Sequence, residues 1–415
     1  MPQGVQVQVL SSAPSKSLGL AFRPDETSGL NLTACIYFFK MLKHFDCRKF
    51  DRIYEIRRMR INVEDPIYRI ENDILHPTLG RLAQLARAPR LHRGCRGFKS
   101  LIVHWMLIVT GTVAYDYIMD FPESFSDHIL PDSLHKINLS FIVDRFEKRR
   151  GGTAGNASYS LGLLKIPHKL VSFAGKDFDD YAKTFKKLKI DISKINIDKK
   201  NYTATGFAMT DKSDNQIWGY FYGAAINSSK TNLSFADPEK DLVLVGPSGA
   251  RGSMATVNEC IKYKIPYMLD PGFILTEVSA YDLTKAVKNS TYVIGNDYEI
   301  ELISNRVKGW EKIKRKKTVI KTLGKDGAEI EEDGKTIKIE PSKAKRAVDP
   351  TGAGDAWRSG FLAGLHMNLD LRTAGRMGAV AASFAVEHYG TQEHRYSIAE
   401  FKKRYRKNYN EVLNF

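Results

Sequence analysis

The chain has 415 residues, of which 43% are hydrophobic and 27% charged. These are the proportions of an ordinary globular protein, so composition excludes global disorder and a collagen-like chain. The 63 basic and 47 acidic residues give a formal net charge of +16, which favours anionic substrates or polyanions as partners. Four cysteines are too few for a disulfide framework and predict a reducing cytoplasm. No apolar run reaches the roughly 18 residues of a membrane span, so we expect no membrane partner.

The first 105 residues differ in composition from the rest of the chain. They carry 12 Arg and 5 Lys, whereas residues 106–415 carry 13 Arg and 33 Lys. Their apolar residues follow neither helix nor strand spacing, and segments 5–14 and 83–101 resemble conceptual translations of transfer-RNA genes. We expect residues 1–105 to be largely an over-extended reading frame, with Met106 as the start. The alternative is a genuine basic extension that binds nucleic acid.

From Met106 onward, short apolar runs alternate with helical patterns. The runs typical of buried strands are 107–110, 169–174, 242–245, 267–270, 292–294 and 318–321. The segments with helical spacing are 157–164, 181–188, 254–262 and 356–365. This alternation predicts an α/β fold with a mostly parallel sheet covered on both faces. Such a sheet binds its ligands beyond the carboxyl ends of the strands.

One region departs from this rhythm. Residues 201–224 alternate apolar and polar side chains around the polar segment 211–215, which is typical of two antiparallel strands. Together with residues 118–144 they predict a small second sheet. We interpret this sheet as a lid over the main site, formed by about residues 113–145 and 201–225. An ordinary edge hairpin is the alternative.

The most informative motif is the segment 348–356. Asp349 precedes a proline and predicts a turn, while Gly352 and Gly354 let the backbone approach a ligand closely. Asp355 follows at the start of a helix, where unpaired N–H groups and the helix dipole favour a transferring phosphoryl group. Asp355 would then be placed to accept a proton from an attacking hydroxyl. The alternative is that Asp355 only caps its helix.

A second glycine-rich segment, 150–157, also leads into a helix. Asn156 within it adds an amide suited to hydroxyl recognition. A tight strand-to-helix turn would explain the glycines but not the presence of two such segments in one chain. The P-loop motif Gly-x-x-x-x-Gly-Lys-[Ser/Thr] does not occur near a strand end, which disfavours a P-loop kinase.

Together, the two segments resemble the two signatures of the ribokinase (PfkB) family of sugar and nucleoside kinases. The resemblance covers residues 106 to about 410, and within the family it points to bacterial adenosine kinases of the mycobacterial type. Further segments that carry it are 111–116, 134–141, 296–299 and 390–393. The resemblance implies a ribokinase-like three-layer α/β/α sandwich with a small β-sheet lid.

The resemblance also implies roles for particular residues around the acceptor. Asp355 would be the general base, and the amides of Gly352, Ala353 and Gly354 would form the anion hole. The residues implied in substrate binding are Asp116, Ser140, Gly152 and Asn156. A carboxylate suits ribose hydroxyls because it accepts two hydrogen bonds, although Asp116 could equally be a solvated turn residue.

On the nucleotide side, the resemblance implies ATP and Mg²⁺ as cofactors. The implied ATP-binding residues are Asn296, Glu299, Thr322, Gly324 and Gly327. Glu299 would act on Mg²⁺ through water, which fits the reluctance of this ion to lose its hydration shell. The alternatives are a first-turn helix carboxylate for Glu299 and a plain hairpin turn for 322–327. Asp349 and nearby carbonyls would hold a monovalent cation such as K⁺, as in some relatives.

Two features bear on the acceptor. Tyr220, Phe221 and Tyr222 either pack within a strand or offer a stacking surface for a purine, delivered by the lid of this chain or of a dimer partner. Gly272-Phe273 stands where the mycobacterial-type enzymes have paired glutamines. Because the side chain of Phe273 makes no hydrogen bonds, we expect altered or relaxed purine selectivity.

The sequence therefore predicts a cytoplasmic, ATP-dependent kinase that converts adenosine to AMP by phosphorylating its 5′-hydroxyl, with a homodimer formed through the lid. The nearest alternative is the same chemistry on another nucleoside or on a sugar. A catalytically idle nucleotide-binding regulator is a further alternative, which the intact Gly-Ala-Gly-Asp sequence disfavours. A nucleic-acid binder would depend on the N-terminal extension being genuine.

Overall fold

The computed structural model describes residues 105–129, 139–213 and 215–414. The predictions made for the basic N-terminal segment fall on residues 1–104 and so lie outside the described residues. In the described part, the strands are β1 Met106–Thr110, β2 Ala114–Asp120, β3 Arg145–Gly151, β4 His168–Gly175, β5 Asp191–Asp198, β6 Ala204–Thr210, β7 Gln216–Phe221, β8 Asp241–Val245, β9 Tyr267–Leu269, β10 Tyr292–Asn296, β11 Thr318–Thr322, β12 Ala328–Glu332 and β13 Lys335–Ile339.

Helices separate most of these strands. The α-helices are α1 Phe125–His128, α2 Thr153–Leu163, α3 Asp179–Lys187, α4 Gly249–Tyr263, α5 Ala280–Asn289, α6 Asp297–Arg306, α7 Trp310–Lys314, α8 Ala353–His366, α9 Leu371–Ala385 and α10 Ile398–Tyr409. Short 3₁₀ helices cover Gly223–Lys230, Gly272–Thr276 and Gly324–Asp326. Among the described residues, no helix is long and apolar enough to cross a bilayer.

The main sheet has nine strands in the order β13-β12-β11-β10-β9-β8-β1-β4-β5. The strands from β11 to β5 pair in parallel, and β12 and β13 add an antiparallel edge. Every strand anticipated from an apolar run belongs to the parallel part. Because the strands run in parallel, their carboxyl ends meet at one edge of the sheet.

Alternate residues of β1 enter two different cores. Leu107 and Val109 belong to a core that includes residues of α2, α8 and α9, whereas Ile108 belongs to a core with residues of α4, α5 and α6. A strand that is apolar on both faces needs a helical layer on each side. The result is the predicted three-layer sandwich with a mostly parallel central sheet.

A second sheet has four strands in the order β3-β2-β6-β7. The β6–β7 hairpin is stabilised at its turn by Asp211, whose carboxylate accepts hydrogen bonds from the backbone N–H groups of Ser213 and Asn215 at 2.9 Å each. Side chains in register across this sheet share a face, so Asp116, Arg149, Gly206 and Tyr220 all lie on the same side. This sheet is the one interpreted as a lid, and β3 extends it beyond the predicted range 113–145.

Candidate active site

The site lies at the carboxyl edge of the main sheet. Asn296 and Thr322, the last residues of β10 and β11, are paired in register, and Asp270 directly follows β9. These three polar side chains come from separate segments of the sequence. They lie at one edge of the sheet because their strands are parallel neighbours.

The start of helix α8 has the geometry expected of an anion-binding turn. Gly352 has φ +76°, a left-handed conformation that favours glycine, and a Cβ there would lie 3.0 Å from Cβ of Thr391. The amide of Ala353 donates to the carbonyl of Pro350 at 3.1 Å. Within the described part of the chain, the amides of Gly352 and Gly354 have no protein acceptor. Two of the three predicted anion-hole amides thus remain available for a ligand.

Asp355 lies in the first turn of α8 and is only 8% exposed. The amide nitrogen of Asn156 donates to its Oδ2 at 2.8 Å, and Nη1 of Arg358 lies 3.7 Å from its Oδ1. Burial raises the pKa of Asp355, while Arg358 and the Asn156 hydrogen bond oppose that rise. The carboxylate is therefore buried but held by groups that favour its ionised form, as a base requires.

Asn156 connects Asp355 to the lid. Its Oδ1 accepts a hydrogen bond from Nε2 of Gln392 at 3.0 Å, and Gln392 also contacts the hydroxyl of Tyr181 at 2.5 Å. Tyr181 in turn donates to the carbonyl of Gly151 at 2.8 Å. With one N–H bonded to Asp355, a single N–H of the Asn156 amide is left for a substrate hydroxyl. Its predicted role in substrate binding stays a prediction.

Asp116 reaches the same region from the lid strand β2. A Cβ on Gly151 would lie 2.1 Å from Oδ2 of Asp116, so this carboxylate packs directly on the Gly151 backbone. Burial raises the pKa of Asp116 to about 6. The series of contacts from Asp116 through Gly151 to Tyr181 and Gln392 ends at Asn156, which is bonded to Asp355. The structure therefore brings the two predicted aspartates to one connected site.

Gly152 serves the turn into α2. It has φ +83°, and a Cβ there would lie 2.6 Å from the carbonyl oxygen of Thr112. That same oxygen accepts hydrogen bonds from the amides of Ala154 and Gly155 at 3.0 and 3.2 Å. The second and third amides of α2 are therefore occupied by the chain itself, as in the strand-to-helix turn weighed as the alternative for this segment.

Ser140 is exposed and precedes β3 in the chain. Its neighbour Phe141 packs on Phe121, just beyond β2, with ring centroids 4.8 Å apart. Gly151 pairs with the opposite end of β2, at Ala114. Among the described residues, Ser140 makes no recorded contact with Asp116, Gly152 or Asn156, the other residues predicted to bind substrate. Its role in substrate binding stays a prediction.

Aromatic side chains extend the face of the lid that carries Asp116. Trp218 and Tyr220 stack with centroids 5.4 Å apart and nearly parallel rings, and Tyr220 is 73% exposed. Trp218 and Asp116 both lie against Gly206. Tyr222 instead donates to Glu277 at 3.2 Å. Of the three residues 220–222 suggested as a stacking surface, only Tyr220 lies on this face with its ring exposed. Trp218, which the sequence analysis did not name, lies beside it.

Asn296 and Glu299 form a capping box at the start of α6. Oδ1 of Asn296 accepts from the amide of Glu299, and Oε2 of Glu299 accepts from the amide of Asn296, both at 2.7 Å. This accounts for both residues structurally and leaves Oε1 of Glu299 for water. No cluster of three metal-ligating side chains exists among the described residues. The donor set fits an Mg²⁺ ion held mainly by phosphates and water.

The predicted nucleotide turn follows β11. The hydroxyl of Thr322 points back to the carbonyl of Gly295, at 3.4 Å, and the turn closes through the amide of Leu323 and the carbonyl of Gly327 at 2.8 Å. Gly324 and Gly327 both have positive φ. The hairpin weighed as the alternative is therefore present, and it lies beside Asn296 at the carboxyl edge.

Asp349 holds the loop before α8 in place. Its two carboxylate oxygens accept backbone N–H bonds from Thr351 at 2.8 Å and Gly390 at 2.9 Å. These bonds give Asp349 a structural role, and the monovalent cation site around it stays a prediction.

Sequence reasoning missed the ion pair that accompanies Asp355. From the sequence, Asp270 was placed only at the end of the predicted strand 267–270, and no role was assigned to Arg358. In the structure, Nη2 of Arg358 donates to Oδ1 of Asp270 at 2.8 Å. A signal was present, because a residue three positions after Asp355 shares its helix face. Gln392 belongs to the segment 390–393, for which the sequence predicted no individual roles. No sequence pattern indicated that Tyr181 would take part in this hydrogen-bond network.

The arrangement has the parts of a phosphotransfer site: a buried carboxylate, two available amides and a second carboxylate across the cleft. Residues 110–397 match the family model for pfkB family carbohydrate kinases. The chain belongs to the PfkB family. It is accordingly a kinase, a phosphotransferase whose acceptor is an alcohol group.

Individual relatives agree with this membership. The chain is 33% identical over 313 residues to a nucleoside kinase of Methanothermobacter thermautotrophicus, covering 72% of this chain and 95% of the relative. It is similar to the solved nucleoside kinase of Burkholderia thailandensis in complex with inosine, with a TM-score of 0.65 and 30% identity over 74% of this chain and 99% of that one. The nucleoside kinase structure from Methanocaldococcus jannaschii has a TM-score of 0.66 at 28% identity, covering 73% of this chain and 99% of that one. The ribokinase-like fold prediction is confirmed, while closeness to mycobacterial-type adenosine kinases stays a prediction.

Proposed function

We propose that this PfkB kinase transfers the γ-phosphoryl group of ATP to the 5′-hydroxyl of a purine nucleoside, with adenosine as the predicted acceptor and AMP and ADP as products. The proposal is supported most directly by one observation: Asp355, buried at the start of α8, is linked by hydrogen bonds and packing to Asp116 on the lid. A base and a hydroxyl-binding carboxylate on one network suit an alcohol acceptor.

In this mechanism, Asp116 accepts hydrogen bonds from the sugar hydroxyls and so fixes the position of the 5′-hydroxyl. Asp355 accepts the 5′-hydroxyl proton as the oxygen bonds to the γ-phosphorus and the bond to the leaving ADP oxygen breaks. The amides of Gly352 and Gly354 and the dipole of α8 stabilise the charge that develops on the transferring group. The lid sheet excludes water that would otherwise hydrolyse ATP.

ATP and Mg²⁺ belong to the proposal as substrate and cofactor. Mg²⁺ neutralises phosphate charge when bound, and Oε1 of Glu299 is the protein oxygen proposed to reach it through water. Thr322, Gly324 and Gly327 are the proposed nucleotide-binding residues beside it. A K⁺ requirement near Asp349 remains part of the proposal. A cytoplasmic location is likewise part of the proposal.

The identity of the nucleoside is the finer part of the proposal. Relatives named nucleoside kinases, one of them solved with inosine, favour a purine nucleoside over a free sugar. Phe273, half-exposed beside Asp270, replaces side chains that would hydrogen-bond a base, so we expect adenosine and inosine to compete more evenly than in a strict adenosine kinase.

The test is an acceptor panel with labelled ATP and the full chain. Adenosine, inosine, guanosine, cytidine, ribose and fructose are compared by kcat/KM at equal Mg²⁺. A purine nucleoside preferred by at least about tenfold over ribose supports the proposal. A sugar preferred over every nucleoside would replace it with the sugar-kinase alternative.

We also propose a homodimer through the lid. The sheet face opposite Asp116 carries apolar side chains that are about half-exposed, namely Phe146, Phe207, Ile217 and Phe221. Exposed apolar patches of this kind mark interaction sites. Sedimentation equilibrium should give a dimer for the native chain and a monomer for Phe207→Glu. Ile197→Glu, an equally exposed apolar position on β5, should stay dimeric; dimerisation of both variants would exclude the lid interface.

A further inference from the structure

Arg358 is a buried cation at the centre of the site that the proposed mechanism does not use. It lies on α8 and its side chain is 13% exposed. Its Nη2 donates to Oδ1 of Asp270 at 2.8 Å, and its Nε lies 2.6 Å from Oδ2 of the same carboxylate. One hydrogen bond and a second close ion-pair contact thus hold the guanidinium against the Asp270 carboxylate.

The guanidinium also faces the reacting centre. Nη1 lies 3.7 Å from Oδ1 of Asp355. A Cβ on Gly354 would lie 2.6 Å from the same Nη1, so the cation packs against the backbone of the proposed anion hole. Asp270 directly follows β9 and is 2% exposed. Its ion pair with Arg358 therefore holds the guanidinium in a fixed position.

A kinase of this design has an electrostatic problem. Its base must be ionised, yet the phosphoryl group that approaches it is also anionic, and the two charges meet where Asp355 is buried and poorly solvated. Burial and the nearby Glu299 raise the pKa of Asp355. A bound phosphate would raise it further, because it adds negative charge and excludes water. The groups that oppose this are Arg358, which is charged, and Asn156, which is neutral.

We propose that Arg358 is a positioning residue that, anchored by Asp270, holds a fixed positive charge between Asp355 and the anion-hole backbone so that the base and the phosphoryl group can be accommodated together. This inference rests on the proposed function. A buried ion pair often stabilises a fold no more than apolar side chains of the same volume would. The inference gives the Asp270–Arg358 pair a role in the reaction instead.

The charged groups around Asp355 determine how the test must be built. They are Arg358 on α8, Glu299 on α6 and Asp270 after β9. Removing Arg358 alone would leave Asp270 buried without a partner and could unfold the chain. The variant of choice is therefore Arg358→Met/Asp270→Asn, which removes both charges and keeps the side-chain volumes. Arg372→Met, a partly exposed arginine on α9, is the matched control.

We expect the acidic limb of the kcat/KM pH profile to move upward in the double variant, by about one pH unit. Activity at pH 7 should fall about 10- to 100-fold and partly recover near pH 9, with the nucleoside KM almost unchanged. Arg372→Met should match the native chain.

A second readout does not depend on turnover. Calorimetric titration with ADP should show affinity about tenfold weaker in the double variant, because the anion hole has lost its cation. A folded double variant with the native acidic limb and native ADP affinity would overturn the inference. If the native chain phosphorylates no alcohol, the proposed function fails, and the ADP titration still decides whether Arg358 supplies charge to the anion hole.

Discussion

Two glycine-rich helix starts in this chain look alike in sequence and differ in what they do. At the start of α2, the amides of Ala154 and Gly155, the second and third helical residues, donate to the carbonyl of Thr112. At the start of α8, the amides of Gly352 and Gly354 find no acceptor in the described chain, and a buried Asp355 lies beside them. The two turns therefore differ at the second helical amide, which is bonded within the chain at Ala154 and available to a ligand at Gly354.

The two helix starts nevertheless depend on each other. Asn156 in α2 donates to Asp355 in α8 at 2.8 Å, and the hydroxyl of Thr391 donates to the carbonyl of Arg150, just before α2, at 2.8 Å. Thr391 also packs against Gly352. The start of α2 thus helps to position the start of α8.

The largest effect should come from removing the base at the α8 start. Asp355→Ala is expected to lower kcat by about 10³-fold or more, since Asp355 is the carboxylate bonded to Asn156 in the part of the chain that the structure describes. Nucleoside should still bind, because Asp116 is untouched; calorimetric titration checks this. Asp179→Ala, an exposed aspartate at the start of α3, serves as control. Turnover near the native rate would exclude Asp355 as the base.

Alanine at the two glycines should separate the two helix starts. Gly352→Ala forces a side chain into a left-handed turn beside Thr391 and should lower kcat about 10²-fold with a modest change in Tm. Gly152→Ala meets the Thr112 carbonyl at 2.6 Å and should cost about 1–3 kcal/mol of unfolding free energy.

Steady-state kinetics and urea unfolding of both glycine variants provide the measurement. A stability loss for Gly352→Ala as large as that for Gly152→Ala, with kcat retained, would contradict the distinction between the two turns. The opposite pattern, with Gly152→Ala losing only turnover, would assign the α2 start a direct part in phosphoryl transfer.

The smallest effect concerns the carboxylate that joins the lid to the α2 start. The pKa of Asp116 is raised to about 6 by burial, so the carboxylate accepts two hydroxyl bonds only above that pH. Nucleoside KM should rise several-fold as the pH falls from 7 to 5, and Asp116→Asn should show a higher KM without this dependence. A native chain whose KM is constant across this range would exclude Asp116 as a hydroxyl acceptor.

The same raised pKa has a consequence for stability. A carboxyl whose folded pKa exceeds its unfolded value contributes stability that is present below about pH 4 and is lost as the pH rises through about 6. Asp116→Asn should therefore stabilise the fold at pH 8, by on the order of 1 kcal/mol, relative to its effect at pH 4. Thermal unfolding at the two pH values checks the sign.

Much of the fold was predictable because the central strands are buried on both faces. Runs such as those of β1, β8 and β10 are apolar without alternation, which is typical of parallel strands under two helical layers. The edge strand β5 was missed because its exposed side chains break the apolar run. β3 was missed because five charged side chains precede its glycine, and only pairing with β2 makes it a strand.

By itself, the sequence determined the α/β architecture, the family and the position of Asp355, because apolar periodicity and a glycine-bent helix start are local properties of the chain. Only the tertiary structure decided which amides are free, that Asn156 bonds to the base, and that Asp270 and Arg358, 88 residues apart, form a pair. Contacts of this kind depend on which strand ends the sheet places side by side, and sheet order is fixed by packing of the whole core rather than by any segment.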